Sequence, residues 1–295
     1  ETKRAVEIVD WTNEEGSRFA PAMVGSGVFA GAFDLQYGHS RQDLDGNSIG
    51  DEQRRIGYLG TAPLGGEFSA FFEAHIEQGP ILEAAERTIG IVSGVQGIRW
   101  YDIVLSGAEC HAGPTPMDRR QDALAAASSL LQKIYALAHD NRPHGRATVG
   151  EFRTLPGSRN TVPGRVELSV DLRHPDAQVL LTMHENLATA CAVVARETDV
   201  DVALQAIWYS PPVEFDSACV QAVRNSAELL GYSHMDVVSG AGHDAVYVSG
   251  ASPTAMVFIP CENGVSHNEI ENATAADIEA GANVLLLAML SKASA

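Results

Sequence analysis

Between residues 98 and 207 the chain switches between strand-like and helix-like patterning in an order that few folds accommodate. Residues 98–105, Ile-Arg-Trp-Tyr-Asp-Ile-Val-Leu, alternate with period two, as a half-buried strand does. Residues 121–139 are rich in Ala and Leu and predict a helix, and 146–154 predict a second strand. The run Gly157-Ser-Arg-Asn-Thr-Val-Pro-Gly164 reads as a turn. Residues 165–172 form a third strand with Val166, Leu168, Val170 and Leu172 on one face. A second helix over 177–197 and a fourth strand over 200–207 complete the series. The order β-α-β-β-α-β is the split βαβ sandwich, a single sheet with both helices on one side.

The flanking segments predict one α/β domain that this insert interrupts, with divisions at 1–97, 98–210 and 211–295. The first flank carries strand-like 5–11, a loop over 12–19, a mixed helical region to residue 60 and a strand over 70–76. The second carries a helix over 217–230, a loop over 239–245, an apolar strand over 254–259 and a helix from residue 275. A domain rarely begins on a core strand, so the pattern at 5–11, four residues from the start, predicts that a segment precedes it. The densest apolar stretch, 280–290, falls short of a membrane span and predicts a buried helix.

Thirty-eight acidic against twenty basic side chains give a formal charge of −18, which disfavours nucleic acid as a partner because phosphate contacts need clustered Lys and Arg. Four dispersed cysteines, none in a C-x-x-C pair, disfavour a thiolate zinc site, and with no visible signal peptide a reducing cytoplasm is the expected compartment.

Five places hold residues that chemistry can use. Thr12-Asn-Glu-Glu-Gly-Ser-Arg-Phe19 puts Glu14 and Glu15 at the end of a strand, where open α/β sheets place ligands. It serves equally as a solvated acidic turn with a fortuitous Arg18. His75, in Ala74-His-Ile-Glu-Gln-Gly79, ends an apolar run and is a metal-ligand type, although a hydrogen-bonded structural histidine fits as well. Val265-Ser-His-Asn-Glu269 offers His267 after a strand, or Ser266 as a helix cap. Cys110-His-Ala-Gly-Pro-Thr-Pro-Met117 presents His111 on a proline-stiffened loop suited to a carbonyl or oxyanion contact. Asn160 and Arg173 are a sensible pair for a carboxylate, or ordinary polar surface. The loop Ser239-Gly-Ala-Gly-His-Asp-Ala245 is neither a Walker loop nor G-x-G-x-x-G; it is a tight turn or a close approach to a small substrate.

Taken in order, Trp11-Thr-Asn-Glu-Glu-Gly-Ser-Arg-Phe19, His75-Ile-Glu-Gln-Gly-Pro80, His111-Ala-Gly-Pro-Thr-Pro-Met117, Arg159-Asn-Thr-Val-Pro163 and Ser266-His-Asn-Glu269 resemble the M20 family of dinuclear-metal amidohydrolases. The resemblance spans the chain. It is closest to the branch of N-carbamoyl-L-amino-acid hydrolases, β-ureidopropionases and allantoate amidohydrolases. It implies a metallopeptidase-like α/β catalytic domain, a mixed sheet between helices, interrupted by a ferredoxin-like lid that also forms a homodimer.

The resemblance also implies roles. Glu14 is the general base. Glu15 with His267 holds one of two divalent ions (zinc, manganese or cobalt), and His75 holds the other. His111 polarises the scissile carbonyl and reaches the neighbouring subunit's site, while Asn160 and Arg173 hold a substrate α-carboxylate. Gln78 and the loop around Gly242 are weaker substrate candidates. The implied partners are a small ureido substrate and a second copy of the chain, with no nucleic acid and no membrane. The implied reaction on an N-carbamoyl-L-amino acid yields the amino acid, CO₂ and ammonia; β-ureidopropionase and allantoate amidohydrolase activities use the same machinery.

One departure stands out. The family takes a further histidine and a bridging aspartate from an H-x-D-type segment upstream of the glutamate pair, and no such segment precedes Glu14. His39 with Asp43 or Asp45 has the wrong spacing and position to replace it. The chain is therefore expected to be truncated, with an incomplete metal centre and little activity alone, and an inactive dimeric fragment is the non-enzymatic alternative.

Overall fold

The computed structural model describes residues 2–66 and 68–295. The chain divides into two compact units, one of Glu1–Val95 with Glu214–Ala295, the other of Gln96–Val213.

The inserted unit is built on one antiparallel sheet. Gly97–Ser106 is flanked by Arg165–His174 on one side and Asp201–Ser210 on the other, and Arg165–His174 carries two short strands, Arg146–Thr148 and Phe152–Leu155, on its far edge. The helices Ala123–Asp140 and Ala177–Thr198 cover one face. Their Leu130, Ile134, Met183 and Leu187 close on Tyr101, Ile103, Leu105, Val166 and Leu172, so the period-two positions of the strands meet the helical stripe. Each helix starts where an aspartate caps it. Asp122 accepts from the backbone N–H of Leu124 and Ala125, and Asp176 from Gln178 and Val179.

Two details depart from expectation. The strand predicted over 146–154 is broken at residues 149–151, where Gly150 brings no side chain to the sheet and Ser169 pairs with Glu151 through both its hydroxyl and its N–H. The strand predicted over 200–207 runs to Ser210, and an irregularity opposite Trp100 and Tyr101 makes Ile207 an extra residue and leaves Trp208 facing Trp100, ring centroids 4.9 Å apart.

In the outer unit Phe71–Ile76 pairs parallel with Thr254–Ile259, which pairs antiparallel with Ile89–Val95, which in turn pairs parallel with His234–Ser239. The helices Ser217–Leu229 and Ala275–Ala293 pack on one face, with Cys219, Val223, Val284 and Ala288 against Ile89, Ile91 and Val257. Strands Ile89–Val95 and His234–Ser239 were not predicted. The first is covered on both faces and shows no alternation to detect, and the second is short.

The predicted strand at 5–11 is absent: no ladder forms along it among the described residues, and Val6 and Ile8 stand exposed. Alternation alone does not make a strand, because its N–H and C=O groups need an adjacent edge. The terminal helix, expected to be buried over 280–290, is buried only along a stripe of Ala280, Gly281, Val284 and Ala288, with Leu286 and Leu290 exposed. Among the described residues no helix is long and apolar enough to cross a membrane.

Leu172 has no exposed surface and sits at the centre of the inserted unit's core. Leu172→Ala is expected to cost ~2–5 kcal/mol in urea unfolding, through lost burial and the cavity left behind.

Candidate active site

The strand Phe71–Ile76 sorts its side chains by alternation. Phe72 and Ile76 join the core under the two long helices, so Glu73 and His75 project from the opposite face. The His75 Nδ1–H donates to its neighbour's carbonyl, Ile76 O, at 2.8 Å, which leaves the Nε2 lone pair to accept a proton or a cation.

The Glu14–Glu15 loop is shaped by its own backbone. Asn13 and Gly16 take left-handed conformations, and a Cβ on Gly16 would stand 2.6 Å from Ala22 N, so a side chain is barred there on both counts. The Asn13 amide donates to Phe19 O and Pro21 O, and Met23 N–H donates to Glu14 O at 2.8 Å. Glu14 is half-buried. Burial first, then repulsion from Glu15 and Asp244, raises its pKa above the usual glutamate value, while His75 and His267 pull it down. These couplings place Glu14, Glu15, His75, His267 and Asp244 around one region. His267, itself at positive φ, holds Nε2 4.0 Å from Glu15 Oε2, and both side chains are exposed.

Gln78 also adopts a positive φ in the turn that follows the His75 strand. Gly242 packs against the Glu14 loop: a Cβ there would meet Met23 Cε at 3.0 Å, and Met23 is the residue whose N–H holds Glu14.

Beneath these groups lies a layer that the sequence reading passed over. Glu73 accepts from Ala245 N–H at 2.9 Å, Asp244 accepts from the Ser26 hydroxyl, and the buried His243 ring stands edge-on to His75 with centroids 4.7 Å apart. The Ser239 hydroxyl donates to Ala241 O and accepts from His243 Nε2–H at 2.8 Å, so Nδ1 of His243 is a bare lone pair. It faces Glu73 Oε1 at 3.8 Å, too far for a hydrogen bond. The pair is no ion pair near neutral pH, because burial pushes His243 down to about 3 and so leaves it uncharged, while burial raises Glu73 to about 7. Glu73 was findable: it lies two residues from His75 and so shares its strand face. His243 lay in a loop that drew notice for its glycines.

In the inserted unit Cys110–His111 pairs with Thr161–Val162, and Ala112 N–H donates to Asn160 O, which sets His111 beside Asn160. Gly113 N–H donates to His111 Nδ1, so the ring proton is on Nε2, outward as a donor. The Asn160 oxygen accepts from Ser158, leaving its NH₂ to donate. Arg173 is elsewhere. Its Nε and Nη2 grip Asp171, whose carboxylate also accepts from the Trp100 indole. Asn160 precedes Arg165, and Arg173 lies eight positions further along the same strand, about 27 Å at ~3.4 Å per residue. The pairing of Thr161–Val162 with Cys110–His111 continues beyond the Arg165 end of the strand, so Asn160 and Arg173 stand toward opposite ends of it.

A divalent ion fits these residues in type and in part in geometry. Imidazole and carboxylate are its usual donors, and two bonds of about 2.1 Å at a tetrahedral angle span about 3.4 Å, so the exposed Glu15 and His267 side chains, 4.0 Å apart, would close by about half an ångström on a shared ion. Among the described residues no group of three His, Cys, Asp or Glu side chains is assembled around a single position.

The family model for peptidase family M20/M25/M40 matches residues 1–291. The chain is 44% identical over 293 residues to an N-carbamoyl-L-amino-acid amidohydrolase of Rhizobium meliloti, covering 99% of this chain and 70% of that protein. It is 33% identical to an allantoate amidohydrolase of Bacillus subtilis, covering 96% and 70%. Among solved structures it resembles an amidase of the hydantoinase/carbamoylase family from Burkholderia multivorans, with a TM-score of 0.94 and 58% identity over 97% of this chain and 70% of that one.

Glu73 carries a pH signature. Below about 4.5, its usual value, the carboxyl is protonated folded or unfolded and costs nothing. As pH rises toward about 7 the unfolded chain ionises it while the fold retains the proton, so stability falls, and above that the penalty stays constant. Glu73→Gln keeps an acceptor for Ala245 N–H and cannot ionise. Thermal melts are expected to show the variant more stable than the parent at pH 8, with the gain gone at pH 4.

Proposed function

The chain belongs to the M20/M25/M40 peptidase family, and on that footing we propose that it is a divalent-metal-dependent amidohydrolase cleaving the ureido C–N bond of N-carbamoyl-L-amino acids. The observation that carries this reading is the half-buried Glu14, its pKa raised, beside the Glu15–His267 pair and His75. The 44% identity to the Rhizobium meliloti enzyme supports the carbamoyl-amino-acid substrate, although other relatives of that name match at 30–34%, level with the 33% of the allantoate enzymes.

Glu15, His267 and His75 are the residues that would hold the cations. A divalent ion held by them would supply Lewis acidity, for the substrate carbonyl and for water. Glu14 takes the proton of the attacking water and returns it to the departing nitrogen, and a pKa raised toward neutrality suits both transfers. His111, with its proton on Nε2, donates to the carbonyl oxygen as negative charge gathers there. Asn160 donates from its amide, and Arg173, oriented by Asp171, takes the α-carboxylate. Water adds across the ureido group, and the products are the amino acid, CO₂ and ammonia.

The strand length separating Asn160 from Arg173 supports a homodimer in which His111 and Asn160 come from one copy and Arg173 from the other. The strand Asp201–Ser210 also supports association, since it is a sheet edge with Ile207, Trp208 and Tyr209 exposed.

Three results are expected. Assayed with manganese, cobalt or zinc, the full-length enzyme hydrolyses N-carbamoyl-L-amino acids faster than N-carbamoyl-β-alanine or allantoate, and chelation stops it; turnover of none of the three by the full-length enzyme rejects the reading. Glu14→Gln abolishes turnover while metal analysis shows undiminished cation content, and surviving activity removes Glu14 as the base. His111→Ala and Arg173→Ala are each inactive alone, yet mixing them with subunit exchange restores activity, since each hybrid contains one site with both residues native. No recovery on mixing rules out a shared site.

A further inference from the structure

Arg18 looked fortuitous in the sequence, yet every nitrogen of its guanidinium is engaged. Nε and Nη2 donate to Asp43 Oδ2 at 3.0 and 2.8 Å, and Nη1 donates to Glu52 Oε2 at 2.8 Å. Both acceptors are fixed independently of Arg18. Asp43 takes the backbone N–H groups of Asp45 and Asn47 on Oδ1 and the Asn47 amide on both oxygens, so a segment rich in acidic residues folds into a rigid receptor for a guanidinium. Glu52, on the helix Ile49–Ile56, is gripped by Arg55 through both oxygens at 2.8 Å. Although burial opposes ionisation at Asp43, hydrogen bonds from Asn47 and Arg18 hold it down to about 2, and bonds from Arg55 and Arg18 hold Glu52 at about 2. The receptor is thus charged throughout the neutral range.

The other polar ties of the glutamate loop are mostly internal. Asn13 to Phe19 and Pro21, Glu14 to Met23 and Thr12 to Gly25 fix the loop's shape. Phe19 seats its tail on Val24 and Ile49 without directional bonds, and Gln53 reaches Thr12 Oγ1 only at 3.4 Å. The guanidinium is the directional link from the loop to the helix Ile49–Ile56 and the Asp43 turn, three residues beyond Glu15 and four beyond Glu14.

We propose that Arg18 is a positioning residue for the hydrolysis: by bridging Asp43 and Glu52 it sets where the Glu14 and Glu15 carboxylates stand. The inference rests on the amidohydrolase reading for its kinetic consequence but not for its structural one. The guanidinium is half exposed while Asp43 and Glu52 are largely covered, and both acceptors keep Asn47 and Arg55 as partners without it, so Arg18 fixes the loop's geometry beyond any share it has in stability. Misplacement of a catalytic group by about 1 Å can cost ~100-fold in rate.

The test compares Arg18→Ala, Arg18→Lys, Asp43→Asn and the Arg18→Ala/Asp43→Asn double variant of the full-length enzyme. With an N-carbamoyl-L-amino acid, Arg18→Ala is expected to lower kcat ~10- to 100-fold with KM changed less than about threefold, at a temperature where melting curves show the variant fully folded. Lysine keeps the charge but not the fork, so Arg18→Lys falls between alanine and parent. The double variant is no slower than Arg18→Ala, because one link is removed by either change. In hydrogen exchange the Met23 and Gly25 amides, which hold Glu14 O and Thr12 O, exchange faster in Arg18→Ala than in the parent. An unchanged kcat, a loss carried wholly by KM, or a loss that tracks global unfolding overturns the proposal. If the parent hydrolyses no ureido compound the function assignment fails by itself, and unchanged exchange at Met23 and Gly25 then overturns the positioning role separately.

Discussion

The parallel ladder between Phe71–Ile76 and Thr254–Ile259 is the constraint on which the outer unit's chemistry depends. A strand presents successive side chains to opposite faces, so a sequence that places Phe72 and Ile76 in the core must place Glu73 and His75 on the other side. A slip of one residue would bury the imidazole under helices and expose two apolar side chains. Register is therefore over-determined by hydrophobic burial, and the position of His75 follows at no additional cost. Phe258, paired in register with His75, floors both histidine rings.

Electrostatics then works against the fold. Glu14, Glu73 and Asp244 interact with one another in a region of reduced solvent access, and each has a raised pKa, dominated by burial. Carboxylates are not gathered and desolvated in this way for stability. Ser26 and the Ala245 N–H offset part of the cost at Asp244 and Glu73. Such perturbed clusters mark functional sites more often than structural ones, which agrees with the family membership.

The inserted unit contributes through its dimensions. Its strand Arg165–His174 is a ruler with Arg173 near one end and the His111–Asn160 pair beyond the other. Asp171 and Trp100, facing each other across the ladder, orient the arginine, and the backbone of Gly113 sets the tautomer of His111. The donors are prepared locally but separated by the length of a strand, and so association between copies enters the functional reading.

Much was legible in the residues because it depends on local pattern. Alternation at Val166, Leu168, Val170 and Leu172 and the Ala-rich stripes specify the β-α-β-β-α-β unit through burial periodicity, which neighbours in the chain determine. His75 and His267 were nameable because their motifs stand at element ends, and Glu14 and Glu15 from their motif alone, since the strand expected ahead of them does not form. Pairing across long sequence separations was not legible. The apolar run at 5–11 has the pattern of a strand and no edge to join, whereas Ile89–Val95, lacking alternation, is a central strand because partners cover both its edges and both its faces. His243 acquires its neutral, buried state from Ser239 and Phe258, and Arg18 its anchor from Asp43 and Glu52, 25 and 34 residues away. Sequence determined which groups are available and what each short segment becomes. Tertiary structure decided which of them meet, because desolvation and hydrogen-bond geometry depend on neighbours that only the folded chain assembles.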